Sequence, residues 1–289
     1  MLRWGVLIAV IADIHANLPA LEAVLADVAG LGADTLIVNG DLVNRGPSNA
    51  AVVGRILEVG PSAVTLGNHD DLMRKWVDRD PDIPALWFED AFWHGMAWPA
   101  AQLAQAGLIE PLRELPMSFR VAQPGLPKVL VSHGSPRHYR EGYAPYLDDA
   151  AFGEILASYP ADVLVGSHTH RPFEHRLGES VILNTGAVGA PFNGDPRAQY
   201  LVLHPRNGGW QPEFRAVPYN RTAALGAFET SGYLEAGGLS ARIFYEELRL
   251  ARPLYMGFWE WTEAQARPKD WESWDAFKAR YAARFQAAV

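Results

Sequence analysis

Five short polar clusters constrain the fold of this chain most strongly, because each one directly follows an apolar segment. The apolar segments, at residues 6–11 and 35–38 for example, have the length and the β-branched composition of buried strands. Ligands of open α/β sheets bind outside the carboxyl ends of strands, so we expect the clusters to meet at one edge. The clusters are Asp13-Ile14-His15, Gly40-Asp41, Gly67-Asn68-His69-Asp70, Val131-Ser132-His133-Gly134 and Gly166-Ser167-His168-Thr169-His170.

The first two-thirds of the chain alternates strand patterns with helix patterns. Leu21, Val24, Leu25 and Val28 form an i, i+3, i+4, i+7 apolar stripe after the first cluster. A second helix is predicted around residues 50–57 and a third strand at 63–66. This alternation is typical of βαβ units and predicts a largely parallel sheet.

The second half of the chain has strands with shorter connections, which suits a mixed or antiparallel second sheet. We predict strands at residues 128–131, 162–165, 181–183 and 200–203, and a last one near 214–217.

Two Trp-rich segments have helical patterns. Residues 76–110 are predicted to form a helical insertion. This insertion is either a cap beside a site or an ordinary helical layer with aromatic core residues. Residues 219–289 predict a helical extension packed on the domain formed by residues 1–218. Exposed aromatic side chains favour interfaces, so the extension is a candidate for contacts between copies of the chain.

Composition excludes several classes of function. The chain has no cysteine, which rules out disulfides, thiolate zinc sites and cysteine nucleophiles. Its net charge of −8 disfavours sequence-independent binding to nucleic acid, although a local basic patch stays open. Asp13 and His15 stand where a signal peptide would have its cleavage region, and no apolar run reaches the ~20 residues of a membrane span. We therefore expect a cytoplasmic protein with no membrane contact.

The residue types of the clusters predict a metal site. Carboxylates, imidazoles and one amide are oxygen and nitrogen ligands that suit Mn, Fe or Zn. In Asp13-x-His15 and His168-x-His170, the two side chains would point the same way on an extended backbone. Either pair alone is uninformative, but all five clusters together are specific.

The order of the clusters resembles the calcineurin-like metallophosphoesterase superfamily, whose motifs run D-x-H, G-D, G-N-H-[DE], H and G-H-x-H. The resemblance covers roughly residues 5–205, and HTHRPFE, LNTGAVG and GDPRAQY resemble the compact bacterial phosphodiesterase-like branch. It implies an α/β fold, a four-layer α/β/β/α sandwich of two mixed sheets flanked by helices, with a dinuclear metal centre.

The resemblance also implies ligand roles. Two divalent ions (Mn, Fe, Zn or Ni, with Mn favoured) would share Asp41. The first ion would add Asp13, His15 and His170, and the second would add Asn68, His133 and His168.

The resemblance places His69 near the phosphate as a proton donor and Asp70 as the group that orients its ring. Gly67 would let the chain turn sharply towards the ions. A metal-bridging hydroxide would attack phosphorus, and His69 would protonate the leaving oxygen.

Two departures from the family pattern stand out. Ser167 replaces the usual glycine before the H-x-H pair, and we expect little effect. Asn44, Arg45 and Gly46 resemble the D-R-G of phosphoprotein phosphatases and symmetrical dinucleoside tetraphosphate hydrolases, with Asn44 in place of Asp. Arg45 would then clamp a phosphate in bidentate fashion, or else face solvent in a turn.

These patterns favour a metal-dependent phosphodiesterase that acts on a small phosphate ester. The Asn44-Arg45-Gly46 sequence keeps a phosphomonoesterase or a dinucleoside polyphosphate hydrolase as the alternative. A non-catalytic scaffold with the same fold is the third reading, and the presence of every ligand position and His69 disfavours it.

Overall fold

The computed structural model describes residues 6–286, which form two five-stranded sheets flanked by helices. The strands are β1 (Ile8–Ile11), β2 (Thr35–Val38), β3 (Ala63–Val64), β4 (Ser118–Val121), β5 (Val129–Ser132), β6 (Val163–Gly166), β7 (Pro172–Leu177), β8 (Ser180–Thr185), β9 (Ala198–Arg206) and β10 (Gly209–Val217). The helices are α1 (Leu18–Leu31), α2 (Asn49–Val59), α3 (Asn68–Asp78), α4 (His94–Gln105), α5 (Glu110–Arg113), α6 (Asp149–Ser158), α7 (Arg221–Thr230), α8 (Tyr233–Leu250), α9 (Tyr255–Ala264) and α10 (Trp271–Arg280). Short 3₁₀ helices span Ala85–Phe88, Ala91–Trp93 and Ala282–Phe285.

Both sheets are mixed: the first has antiparallel strands on one side only, and the second has an antiparallel strand at each edge. The first sheet has the order β10-β9-β1-β2-β3, in which β1, β2 and β3 are parallel. The second has the order β4-β5-β6-β8-β7, in which β5, β6 and β8 are parallel. The parallel strands place the carboxyl ends of β1, β2, β5 and β6 on the edge where the polar clusters follow.

Side-chain alternation along β1 explains the layering. Ile8 and Val10 belong to the apolar core between the two sheets, together with Val131 and Val165 of the second sheet. Alanine and isoleucine at the intervening positions belong to the core beneath the helices instead. All four β1 residues are fully buried. Since a fully buried aliphatic side chain contributes about 1.5–3 kcal/mol, this alternation fixes β1 between two cores.

The outer faces of the sheets carry helices. Helices α1 and α2 cover the first sheet, and α6 covers the second through Phe152 and Ile155, which pack on Leu130, Leu164 and Ile182. These layers confirm the predicted sandwich of two mixed sheets flanked by helices.

The first predicted helix begins and ends at clear signals. The Asn17 side chain accepts a hydrogen bond from the backbone N–H of Ala20, and Pro19 lies in the first turn. Gly32 ends the helix in the left-handed conformation, with φ 66°. The predicted apolar stripe from Leu21 to Val28 is buried.

Edge elements differ most from the sequence prediction. Strands β4 and β7 and helix α6 were not predicted, β3 is shorter than residues 63–66, and β10 begins well before residue 214. β4 and β7 lie at the edges of their sheet and contain exposed Arg120, Glu174 and Arg176, so they lack the apolar run that marks a buried strand.

The helical insertion and the helical C-terminal extension pack against each other. The Gly95 N–H donates to Ser240 Oγ at 3.0 Å, and the Tyr233 hydroxyl donates to the Gly95 carbonyl at 2.9 Å. A Cβ atom at Gly95 would lie 2.2 Å from Ser240 Oγ, so α4 and α8 approach closely only at a glycine. Within residues 6–286, no helix is long and apolar enough to cross a membrane.

Candidate metal centre and substrate cavity

The structure brings the seven predicted metal ligands together where β1, β2, β3, β5 and β6 end. We call this group the strand-end site: Asp13, His15, Asp41, Asn68, His133, His168 and His170. Six of its members are buried and His168 is half-buried, so the polar groups are largely withdrawn from solvent.

One half of the strand-end site is formed by Asp13, His15, Asp41 and His170, which each offer one ligand atom within 4.8 Å of the others. His15 Nε2 lies 3.1 Å from His170 Nε2, and His170 Nε2 lies 3.3 Å from Asp13 Oδ1. With bonds of about 2.1 Å, two ligands at right angles around one cation are about 3.0 Å apart. The atoms are therefore spaced as ligands of one ion.

Asp41 also belongs to the other half, with His133 and His168. Asp41 Oδ2 lies 3.3 Å from His133 Nε2. Asn68 Oδ1 lies 2.8 Å from His168 Nδ1 and 3.3 Å from His133 Nε2, which adds an amide oxygen to this half. One carboxylate thus contacts two sets of ligand atoms.

Two carboxylate oxygens test whether these residues fit cations. Asp13 Oδ1 and Asp41 Oδ2 are buried and have no hydrogen-bond partner among the described residues. A buried, unpaired carboxylate oxygen is costly, and native structures pair such groups or place them on a metal. The donor set of carboxylate, imidazole and amide therefore fits divalent cations.

Backbone carbonyl groups orient three of the imidazoles. Nδ1 of His133 lies 2.8 Å from the Asn39 carbonyl, and Nδ1 of His170 lies 2.6 Å from the Ala190 carbonyl. Nδ1 of His15 has a similar, longer contact to a carbonyl oxygen at 3.3 Å. A carbonyl only accepts, so Nδ1 of each ring carries a proton, and a cation would bind at Nε2 in place of any proton there.

The ligands converge by left-handed backbone rather than by the extended backbone that we predicted. Asp13, His15, Asp41, His168 and His170 have φ between 48° and 68°. Such values are unusual for residues with a side chain and cluster at functional sites. Asp13 and His15 lie in the same half of the strand-end site, whereas His168 and His170 belong to different halves.

Two glycines allow two loops of this site to approach each other closely. Gly67 has an extended backbone, with φ −95° and ψ 163°, so the predicted sharp turn at Gly67 is wrong. A Cβ atom there would lie 2.1 Å from the Asp41 backbone nitrogen, and one at Gly40 would lie 2.6 Å from the Gly67 nitrogen. The two loops therefore touch at two glycines, which places Asn68 beside Asp41.

Asp70 does not orient the ring of His69, which corrects a second prediction. Its carboxylate accepts backbone N–H groups from Asp41 at 2.8 Å, Leu42 at 2.9 Å and Gly67 at 3.1 Å. These bonds hold the loop that carries Asp41. Burial, followed by the nearby Asp41 carboxylate, raises the pKa of Asp70 to about 7.

Asn44 is the partner of the His69 ring. Asn44 Oδ1 accepts the Arg45 backbone N–H at 2.7 Å, so its Nδ2 faces His69 Nδ1 at 2.8 Å. An amide N–H donating to Nδ1 places the imidazole proton on Nε2. The His69 backbone N–H donates to Asp41 Oδ1 at 2.7 Å, which ties His69 to the shared carboxylate.

Charge and burial act in opposite directions on the histidines. Burial alone would lower the pKa of His133, but the Asp41 carboxylate outweighs burial and raises that pKa to about 10. Burial lowers the pKa of His168 to about 4. Burial also lowers the pKa of His69 to about 3, partly opposed by Asp41 and reinforced by Arg45 and Arg140.

Arg45 lies beside the strand-end site but has a partner that the sequence did not indicate. Its guanidinium donates through Nη2 to Glu247 of α8, and the two side chains are 11% and 2% exposed. The same guanidinium lies 4.9 Å from the Phe244 ring centroid and 5.2 Å from that of Phe192. No other hydrogen bond to this guanidinium occurs within residues 6–286, so donors remain for a phosphate.

Ser167 fits its position without disturbance. Its hydroxyl accepts from Asn39 Nδ2 at 2.7 Å and lies 3.1 Å from Thr185 Oγ1. Ser167 is also fully buried. A serine in place of the glycine that is usual in the family therefore has a small effect on the local structure, as we expected.

A cavity of about 260 Å³ opens beside His69 and Asn68. Its aromatic side chains come from the insertion and the C-terminal extension: Trp87, Trp93, Phe244, Tyr255 and Trp259. We call it the aromatic cavity. Arg45 and Arg140 also line it. No motif in the sequence singled out Arg140.

Comparisons with known proteins agree with this geometry. A family model for the calcineurin-like phosphoesterases matches residues 6–172, which contain all five polar clusters. Phosphodiesterase YfcE of Escherichia coli is 29% identical over 202 residues, which cover 66% of this chain and 83% of YfcE. A symmetrical bis(5′-nucleosyl)-tetraphosphatase of Acidovorax ebreus is 47% identical over 62 residues, 21% of this chain and 22% of that protein.

A solved structure shares the architecture. The crystal structure of a metallophosphoesterase from Sphaerobacter thermophilus has a TM-score of 0.63 and 27% identity to this chain. The likeness covers 81% of this chain and 99% of that chain.

Proposed function

This chain belongs to the calcineurin-like phosphoesterase family and is a metal-dependent phosphoester hydrolase, and we propose that it cleaves phosphodiesters at two divalent cations. The observation that carries the proposal is the position of Asp41, whose carboxylate is shared by both sets of ligand atoms. The unpaired buried oxygens of Asp13 and Asp41 support the same assignment.

The proposed ligands follow the two halves of the strand-end site. Asp13, His15 and His170 hold one cation, Asn68, His133 and His168 hold the other, and Asp41 bridges them. Two bound cations supply positive charge opposite the phosphate oxygens and lower the pKa of water. Oxygen and nitrogen ligands suit Mn, Fe, Zn or Ni, and Mn²⁺ is our favoured ion.

His69 is the proposed group that donates to the leaving oxygen. The Asn44 contact supports this role, because it leaves the ring proton on Nε2. Burial lowers the pKa of His69 to about 3, which favours a neutral ring that acts as an electrophilic hydrogen-bond donor. Asp70 acts through the Asp41 loop and is a positioning residue.

Arg45 and Arg140 are the proposed cationic contacts of the phosphate. Both line the cavity beside His69, and the Arg45 guanidinium keeps free donors besides its bond to Glu247. A guanidinium binds phosphate through paired N–H groups. A small phosphate ester is therefore the proposed substrate.

We also propose that residues 219–289 form an extension of the domain made by residues 1–218. The Gly95–Ser240 and Arg45–Glu247 contacts join the two parts and support the packing of the extension on the domain. A cytoplasmic location and contacts between copies of the chain through the extension stay predictions.

A dinucleoside polyphosphate hydrolase or a phosphomonoesterase is the second candidate. The short match to the Acidovorax tetraphosphatase supports the first of these, although it spans about a fifth of each chain. The phosphodiesterase relative spans two-thirds of this chain and favours the diester reading. The non-catalytic scaffold remains the weakest reading, since His69 and all the proposed ligands are present.

Metal removal and restoration test the proposal. The chelated protein is reloaded with Mn²⁺, Ni²⁺, Zn²⁺ or Mg²⁺ and assayed on bis-p-nitrophenyl phosphate and p-nitrophenyl phosphate. The proposal predicts metal-dependent cleavage with a preference for the diester. A preference for the monoester would favour the second candidate, and no turnover by a folded protein that binds two ions would favour the scaffold.

A further inference from the structure

The aromatic cavity has a composition that differs from the rest of the surface. Its lining contains Arg45 and Arg140 but neither Asp nor Glu, although the chain has a net charge of −8. The cavity therefore combines an aromatic lining with two guanidinium groups, of which Arg45 also pairs with Glu247. This combination fits a ligand that has an anionic end and an apolar body.

The aromatic rings are packed into a defined wall. Trp87 stacks on Trp93 with centroids 3.6 Å apart and planes at 14°, and Trp259 meets both rings edge-on at 5.8 and 5.1 Å. Trp87 and Trp259 are only partly buried, so they retain surface for a ligand. Planar rings stack or pack edge-on with such side chains, as nucleobases do in proteins that bind single strands.

Tyr255 contributes its ring to this wall. The ring packs on Phe92 and Phe244, and the residue is 7% exposed. Its hydroxyl is enclosed by the protein, so Tyr255 offers a ligand the surface of its ring and no polar contact.

The volume of the aromatic cavity limits the size of the ligand that it can hold. At about 260 Å³, the cavity lies just below the 300–1,000 Å³ range of small-molecule sites. It has room for one ring system rather than a peptide or an oligonucleotide.

We propose that the aromatic cavity is a subsite for a planar heteroaromatic group of a phosphoester, such as a nucleobase. The ring system lies against Trp87 and Trp259, and the phosphate lies at the strand-end site. The inference rests on the proposed function for the position of the phosphate. It extends that function by assigning substrate selection to the insertion and the C-terminal extension.

A matched pair of ligands tests the subsite. The full chain loaded with Mn²⁺ is titrated by calorimetry with the 5′-methylenephosphonate analogues of adenosine 5′-monophosphate and of ribose 5-phosphate. Their C–P bonds resist ester hydrolysis, and the two differ at C1′, where one carries adenine and the other a hydroxyl group. The proposal predicts that the adenosine analogue binds at least tenfold more tightly, because its base stacks on the aromatic side chains. A ratio below threefold would overturn it.

Substitutions in the aromatic cavity test whether the preference for the adenosine analogue arises there. Trp259→Ala, Trp87→Ala and the double variant that combines them should each reduce the tenfold ratio to about threefold or less. Trp271→Ala is the control, because Trp271 is 53% exposed and lies on α10 outside this cavity. A ratio that survives all three cavity variants would place the base elsewhere and overturn the assignment.

Turnover of bis-p-nitrophenyl phosphate by the same preparations separates this inference from the proposed function. Turnover without a preference for the base would contradict the proposed subsite and would still support the proposed phosphodiesterase activity. A base preference that the cavity variants abolish, in a protein without turnover, would support the subsite and contradict the phosphodiesterase.

Discussion

The strand-end site and the aromatic cavity meet at His69 but are built in opposite ways. The strand-end site consists of polar residues on short loops, each within a few positions of a strand end. The aromatic rings of the cavity come from residues 87–93 and 244–259, which are far apart in the sequence. The first arrangement depends on the order of the strands, and the second depends on the packing of two helical segments. We therefore propose that the strand-end site performs the chemistry and that the aromatic cavity selects the substrate.

This comparison predicts that changes at the strand-end site affect turnover on every substrate. The largest effect is expected for Asp41→Asn, because one residue contacts both halves of the site. We expect turnover to fall at least 10³-fold and the metal content to fall below two ions per chain. Steady-state assays and elemental analysis measure both. Asp149→Asn, an exposed residue that pairs with His175, is the control and should behave as the wild type.

His69→Gln separates turnover from metal binding. Removing one hydrogen-bond donor to a developing negative charge costs about 10²–10³-fold, so turnover should fall by up to that factor on both aryl esters, whose p-nitrophenolate group leaves readily. Metal content should stay at the wild-type value, since His69 is not among the clustered ligand residues. Loss of metal together with turnover would make His69 a ligand and contradict its proposed role. His204→Gln, at the ion pair with Glu213, is the matched control.

Glu247→Gln tests whether the two regions are coupled. Glu247 pairs with Arg45, and its other oxygen accepts the backbone N–H groups of Leu254 and Tyr255 at 2.7 and 2.8 Å. Removing one partner of a buried ion pair costs about 3–5 kcal/mol. Urea unfolding should show a loss of stability of that order, with a weaker preference for the base. The exposed Glu260→Gln should change neither quantity, and an unaltered Glu247→Gln protein would mean that the regions are independent.

Metal removal gives the smallest predicted effect on stability. A ligand that binds only the folded chain at 100 times its Kd stabilises it by about 2.7 kcal/mol. Chelation should therefore lower the melting temperature, and Mn²⁺ should restore it in the wild type. The Asp41→Asn protein should show a smaller shift. An equal shift in both proteins would mean that the cation binds outside the strand-end site.

The sequence predicted the strand-end site because a strand followed by Asp or His is a local pattern. It predicted the wrong local geometry, since left-handed φ values at Asp13 and His168 and the close approach at Gly67 depend on neighbouring loops. The Asn44–His69 and Arg45–Glu247 contacts join residues 25 and 202 positions apart, and no spacing rule connects them.

The edge strands of the sheets and the aromatic cavity were not predicted, because their local sequence patterns do not show how they pair or pack. β4 and β7 pair on one side only, so they carry polar residues and no continuous apolar run. The Trp-rich segments show helical spacing, but that spacing does not reveal which rings line a cavity. Trp87, in the 3₁₀ helix Ala85–Phe88, and Trp259, in α9, come together beside His69 only through tertiary packing.

The location of bound cations tests the central claim most directly. Crystals of the Mn²⁺-loaded chain would be measured for anomalous scattering at the manganese edge. The account predicts two peaks about 3.5–4 Å apart, one on each side of Asp41. A single peak, or peaks away from Asp41, would contradict a shared carboxylate and with it the two-cation phosphodiesterase.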